Sequence, residues 1–227
     1  MYVSDWGRKV IMNFEGFSAK PYICPAGVKT QGFGHTAAAG GVVIGKPPVW
    51  SRAYAEKVLA DDLVRFGNQV QQLITRPIAQ HQFDAFVSLA FNIGIGAFGR
   101  STALRRFNSG DERGAAAAIL MWNKARVNGK LTTLAGLVRR RKTEMMMFSG
   151  FKDLDFDGER DPTDAVYGTL PQGGVEADEV IAQPTPPDVE PIAPKPQTHA
   201  SDTVAKFIRV VIVVAIVATA IYFMLPK

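Results

Sequence analysis

The sequence predicts an α+β domain of two lobes, a small sheet followed by a larger set of helices, with a linker and one membrane-spanning helix behind it. Three observations carry this expectation. Residues 16–46 are rich in Gly, Pro and Thr with short β-branched runs, the pattern of a small sheet built of hairpins. From Ser51 to Phe148 the apolar residues recur at helical spacing. Residues 207–225 form an apolar run broken only by Arg209, which at 1.5 Å per residue reaches roughly 28 Å, close to the hydrocarbon thickness of a bilayer.

The elements follow in order. Residues 3–14 predict a short helix that ends at Glu15, where a Gly-rich turn begins. Ser51 is a candidate cap for a helix running through Arg65 and beyond, with Leu59, Leu63 and Phe66 on one face. Phe83, Phe86, Val87, Ala90 and Phe91 make a second apolar stripe, stopped by Gly94 and Gly96. Further helices are expected over 101–108, over 112–123 with Asp111 as cap, and over 133–148 with Thr132 or Thr133 as cap. A small sheet beside a helical lobe leaves a cleft between the two.

Behind this domain, 151–170 is an acidic hinge and 171–205 a Pro-rich linker too poor in apolar residues to offset its ordering entropy. Residues 206–227 hold the expected anchor. Arg209 can reach the headgroups at one end, and Tyr222 sits near the other interface. Lys206 and Arg209 before the run, against Lys227 after it, favour a tail anchor with the preceding domain on the cytoplasmic side.

Charge divides the chain in the same place. Residues 1–150 carry 20 Lys/Arg and 9 Asp/Glu, a net of +11, and residues 151–227 carry 6 and 12, a net of −6. An anionic partner for the first part follows, with nucleic acid, membrane surface and bacterial cell wall all qualifying. A single cysteine, Cys24, excludes an intrachain disulfide, and His35, His81, His199 and Cys24 lack the spacing of a zinc site. The apolar stretch Val10–Phe14 is too short for the core of an export signal.

Glu15 lies between Phe14 and Phe17, and a carboxyl group against aromatic surface tends to keep its proton, as a general acid requires. It opens the pattern Glu15, eight residues, Cys24, five residues, Thr30, followed by Gly32-Phe-Gly-His35-Thr36. This segment resembles the phage-type lysozymes, glycoside hydrolase family 24. The resemblance continues in Gln82–Gly94, Phe98-Gly-Arg-Ser-Thr102, Trp122-Asn-Lys124 and Gly136–Glu144, so that it spans about residues 5–148.

The resemblance implies a lysozyme-like two-lobed fold for residues 1–150 and a muramidase acting on bacterial peptidoglycan with no required cofactor. Glu15 would protonate the oxygen of the β-1,4 bond between N-acetylmuramic acid and N-acetylglucosamine, and Thr30 would help hold the attacking water. Cys24 stands where many members have Asp. An ordinary thiol, mostly neutral at pH 7, stabilises positive charge or activates water less well than a carboxylate, so inversion and retention both stay open. His35 is expected as a hydrogen-bonded scaffold residue. Arg139-Arg140-Arg141-Lys142 point in different directions on a helix, so no nucleic-acid groove is expected there. The alternatives are a lytic transglycosylase, which forms anhydro sugars, and a degenerate wall-binding protein.

A second candidate site is Asp153-x-Asp155-x-Asp157-Gly158-x-x-Asp161-x-x-Asp164. Numbered as a twelve-residue calcium loop, acids fall at positions 1, 3, 5, 9 and 12 with Gly at 6, an oxygen set suited to a hard cation. Pro162, and Asp in place of the bidentate Glu at position 12, depart from that pattern. With a bilayer anchor at 207–225, the expected setting is a phage or prophage endolysin for host-cell lysis. Its domain would reach the wall through a partner such as a holin or from within a lipid-containing virion.

Overall fold

The structure, a computed structural model, describes residues 1–24, 27–127, 129–160 and 164–166. The expected linker and membrane span lie outside the described residues. Among the described residues no helix is long and apolar enough to cross a membrane.

Helix α1 (Asp5–Glu15) starts where Ser4 caps the Gly7 amide and stops at Gly16, whose φ of 66° turns the chain out of the helix. The turn leads into a three-stranded antiparallel sheet, β1 (Ser18–Ile23), β2 (Lys29–Gly32) and β3 (His35–Thr36), in sequential order. Tyr22 pairs with Thr30, and Gln31 with His35. Buried Gln31 stitches this lobe together: its amide donates to the Ala19 carbonyl at 2.9 Å and its oxygen accepts from the Gly45 amide at 2.8 Å. Helix α2 (Arg52–Leu73), capped by Ser51 as expected, carries the chain from the small lobe to the large one.

The large lobe is organised around α3 (Gln80–Ile93), buried without a break from His81 to Ala90. The sequence shows one apolar stripe there, yet the helix is enclosed on all sides, because its polar residues are also paired. Gln82 donates to Glu112, Asp84 accepts from Ser4, and Ser88 donates to Glu144. Around it pack α4 (Ile95–Gly99), α5 (Thr102–Asn108), α6 (Glu112–Ile119) and α7 (Ala135–Phe148). The Phe86 ring meets Phe98 at 5.2 Å, Phe107 at 5.3 Å and Phe148 at 5.0 Å between centroids, each pair worth roughly 0.5–1.5 kcal/mol beyond its buried area.

Two helix boundaries differ from expectation. Asp111 caps α6 as anticipated, but the helix ends at Ile119 rather than 123. Thr132 and Thr133, the expected caps of the last helix, instead belong to β5 (Lys130–Thr133), paired with β4 (Lys124–Val127). Helix α7 therefore begins after Leu134 with no side-chain cap. The hairpin has a local cause: Asn128-Gly129 lies between the paired Val127 and Lys130, and Asn-Gly favours the two-residue turn that matches strand twist. After α7, β6 (Phe151–Lys152) pairs with β7 (Ala165–Val166). The described part of the expected hinge is thus folded back against the domain, with Phe156 stacked on Trp6 at 5.5 Å.

Helices α1 and α3 approach closely at Gly7, where an added Cβ would stand 2.8 Å from Asp84 Cγ and 2.9 Å from Val3 Cγ1. Alanine ordinarily stabilises a helix relative to glycine by about 1 kcal/mol. Here Gly7→Ala is expected to do the reverse, costing about 1–3 kcal/mol through overpacking, as a lowered midpoint in urea unfolding.

Candidate active site

Glu15 is the last residue of α1, and its carboxylate lies where α1, the sheet and α7 meet. Its Oε1 accepts a hydrogen bond from Arg140 Nη1 at 2.7 Å, with the arginine side chain 4% exposed and the glutamate 18%. On the other side stands the β2–β3 turn. A Cβ on Gly34 would lie 2.8 Å from Glu15 Oε2 and 3.3 Å from Phe91, and Gly34 has φ +78°. Glycine at this position satisfies both the left-handed backbone and the close approach to the carboxylate.

Arg140 is itself fixed by a buried network. Its Nε donates to Glu144 Oε1 at 3.1 Å, its Nη2 to the Ser88 carbonyl at 3.4 Å, and its guanidinium lies 5.6 Å from the Phe14 ring centroid. Arg141 Nη2 donates to the same Glu144 oxygen at 3.0 Å, and the Ser88 hydroxyl donates to it at 2.6 Å. Burial acts against the charge on both arginines. For Arg140 the negative charges and hydrogen bonds of Glu15 and Glu144 outweigh it and raise the pKa, whereas Arg141 is pushed down to about 10. The basic run thus turns Arg140 and Arg141 inward and leaves Arg139 in solvent.

Thr30 and Cys24 lie on the facing hairpin. Thr30, 3% exposed, donates its hydroxyl hydrogen to the Val28 carbonyl at 3.0 Å. Cys24 follows β1, its amide donating to Val28 O at 2.9 Å, and its thiol is free and half-buried. Tyr22, paired across the sheet with Thr30, links these groups. Its hydroxyl is held above its ordinary pKa by burial, then by the negative charges of Glu15 and Cys24. Tyr22 and Arg140 were not singled out from the sequence. The spacing of Arg140 and Arg141 to Glu144, four and three residues, was an available signal for a paired helix face.

Asp153, Asp155 and Asp157 lie together beyond α7. Asp164 accepts from the Leu154 amide at 3.3 Å, and Asp161 falls outside the described residues.

His35 is 1% exposed and ties β3 to α2 through Asp62. Its Nδ1 is 2.7 Å from Asp62 Oδ2 and its Nε2 3.0 Å from the Val42 carbonyl oxygen, so both ring nitrogens face acceptors. Burial pushes the imidazole pKa down, but the Asp62 hydrogen bond and charge, with the Val42 carbonyl, outweigh burial and Arg65 and raise it above 6.5. A histidine raised in this way contributes stability that is full below its unfolded pKa and is lost as pH rises through its folded value. NMR titration of the ring nitrogens should find His35 giving up its second proton at a higher pH than a free histidine does. Thermal melts should show Asp62→Asn removing this downward slope of stability with rising pH.

The family model described as phage lysozyme matches residues 12–144. The endolysin of Acyrthosiphon pisum secondary endosymbiont phage 1 is 41% identical over 148 residues, covering 65% of this chain and 98% of that protein. The SAR-endolysin of enterobacteria phage P21 is 35% identical over 130 residues, 57% of this chain and 74% of the relative. Among solved structures, the muramidase domain of SpmX from Asticaccaulis excentricus superposes with a TM-score of 0.58 at 38% identity, covering 64% of this chain and 96% of that one.

Proposed function

The chain belongs to the phage lysozyme family of peptidoglycan-degrading glycoside hydrolases, and we propose that it hydrolyses the β-1,4 bond between N-acetylmuramic acid and N-acetylglucosamine. The observation that carries this is Glu15, held by Arg140 on one side and Gly34 on the other, opposite the hairpin that bears Thr30. Glu15 is the general acid: protonated, it gives its hydrogen to the glycosidic oxygen as the bond to the leaving sugar breaks. Arg140 fixes the position of this carboxyl group and is itself fixed by Glu144 and the Ser88 carbonyl.

Thr30 orients the water. Because its hydroxyl hydrogen is committed to Val28 O, its oxygen is left as an acceptor. A water donating to it presents a lone pair to the anomeric carbon, and the proton it sheds on bonding passes back to the Glu15 carboxylate when attack is on that face, or to solvent when it is on the other. Cys24 contributes less than an Asp at this position would, since a thiol serves the developing oxocarbenium ion less well than a carboxylate.

The apolar run at 207–225 anchors the domain in a bilayer with its N-terminal side toward the cytoplasm, as the Lys206 and Arg209 flank supports. In this arrangement the enzyme serves host-cell lysis for a phage or prophage, and reaches the wall when a holin breaches the membrane or from a lipid-containing virion.

Digestion of purified peptidoglycan by the detergent-solubilised chain should yield reducing-end muropeptides by mass spectrometry. Glu15→Gln should lower their release by at least about 10²-fold, and Cys24→Ser should weaken it. Anhydro products, or full activity in Glu15→Gln, would overturn the assignment. The full chain should resist carbonate extraction from membranes, and a chain ending at residue 170 should not.

A further inference from the structure

We propose that the loop following α7 is a calcium site, with Asp153, Asp155 and Asp157 as oxygen ligands, and that the bound ion fastens this loop to the helix that carries Glu15. One candidate ligand atom from each of the three lies within 4.8 Å of the others. Two oxygens bound to one calcium at about 2.4 Å can stand at most about 4.8 Å apart, so this spacing accommodates a single ion. Without a cation, three carboxylates at this separation repel.

Asp153 supplies an independent pointer. It is 1% exposed. Its Oδ2 accepts from the Thr143 hydroxyl and, at 3.0 Å, from the Gly158 amide, while its Oδ1 is buried without an N–H donor and the Asp155 carboxyl stands beside the group. A buried carboxylate oxygen without a donor is costly, and a hard cation is the partner that removes the cost. Lys142, the basic side chain of α7 that reaches the loop, pairs with Glu159 instead. The β6–β7 pairing closes the neck of the loop and returns Asp164 to the Leu154 amide, which puts a fourth carboxylate beside the first three.

The loop touches the helix that carries Glu15 at Phe156. Phe156, between the second and third ligands, stacks on Trp6 and meets Phe14 edge-on at 6.4 Å. Its φ of 60° is a left-handed conformation that a bulky side chain rarely adopts. Ligands on either side of it hold that conformation, and with it the packing against the residue that precedes Glu15.

The test is isothermal titration of calcium chloride into the metal-stripped, detergent-solubilised full chain, with magnesium chloride in parallel and thermal melts in 1 mM calcium or EDTA. One equivalent of calcium should bind with Kd of roughly 10⁻⁵–10⁻³ M and raise Tm by several degrees, with magnesium weaker. The Asp155→Asn/Asp157→Asn double variant should lose both responses. It should melt in EDTA no lower than the parent, because the substitution relieves repulsion. Absence of heat and of a Tm shift up to 10 mM calcium, equal responses to both metals, or an unchanged response in the double variant would overturn the proposal.

Discussion

The ion pair between Arg140 and Glu15 is the contact on which the rest of the site depends. It joins residues 125 positions apart in the chain and is buried enough that neither partner can be exchanged for water at little cost. A buried arginine is tolerated only when its donors and its charge are met. Glu144, Ser88 and the Phe14 ring meet what Glu15 leaves over. The packing of α7 on α3 therefore decides where the carboxylate at the end of α1 sits. The helical lobe thus carries the acid, although the acid belongs to the first helix of the chain.

The small lobe contributes the opposite wall. Gln31 ties β1 and β2 to the following loop, and His35 ties β3 to α2 through Asp62. With those two residues committed inward, the hairpin is a rigid support that holds Tyr22 and Thr30 across from Glu15, and Gly34 completes the closure. Glu15 is held by Arg140, which is itself buried, while Thr30 is held by the backbone carbonyl of Val28.

Local chemistry made much of this legible in the sequence. Ser51 and Asp111 cap their helices because a short polar side chain before an apolar period satisfies a free amide. The family-like spacing of Glu15, Cys24 and Thr30 is visible in the sequence, and His35 is buried against Asp62, in keeping with the scaffold place that the resemblance implies. Non-local pairing was less legible. Arg140 was read as one of four consecutive cations facing different ways, which is correct for the helix but silent on which of them meets a carboxylate from α1. The guanidinium beside the Glu15 carboxylate has no local signal in the residues around Glu15. The β4–β5 hairpin carried its signal in Asn128-Gly129, but the Lys- and Thr-rich strands around it lack the apolar alternation that would mark them, since they lie on the surface.

The most direct measurement of the central claim is the rate of muropeptide release by Arg140→Lys beside the parent, with Tm taken on the same samples. Lysine keeps the positive charge that Glu144 needs but cannot present the planar fork that reaches Glu15, Glu144 and Ser88 at once. The account predicts a folded variant whose rate falls at least about tenfold, the equivalent of roughly 1.4 kcal/mol of transition-state stabilisation. A folded Arg140→Lys variant that cleaves at the parental rate would contradict it.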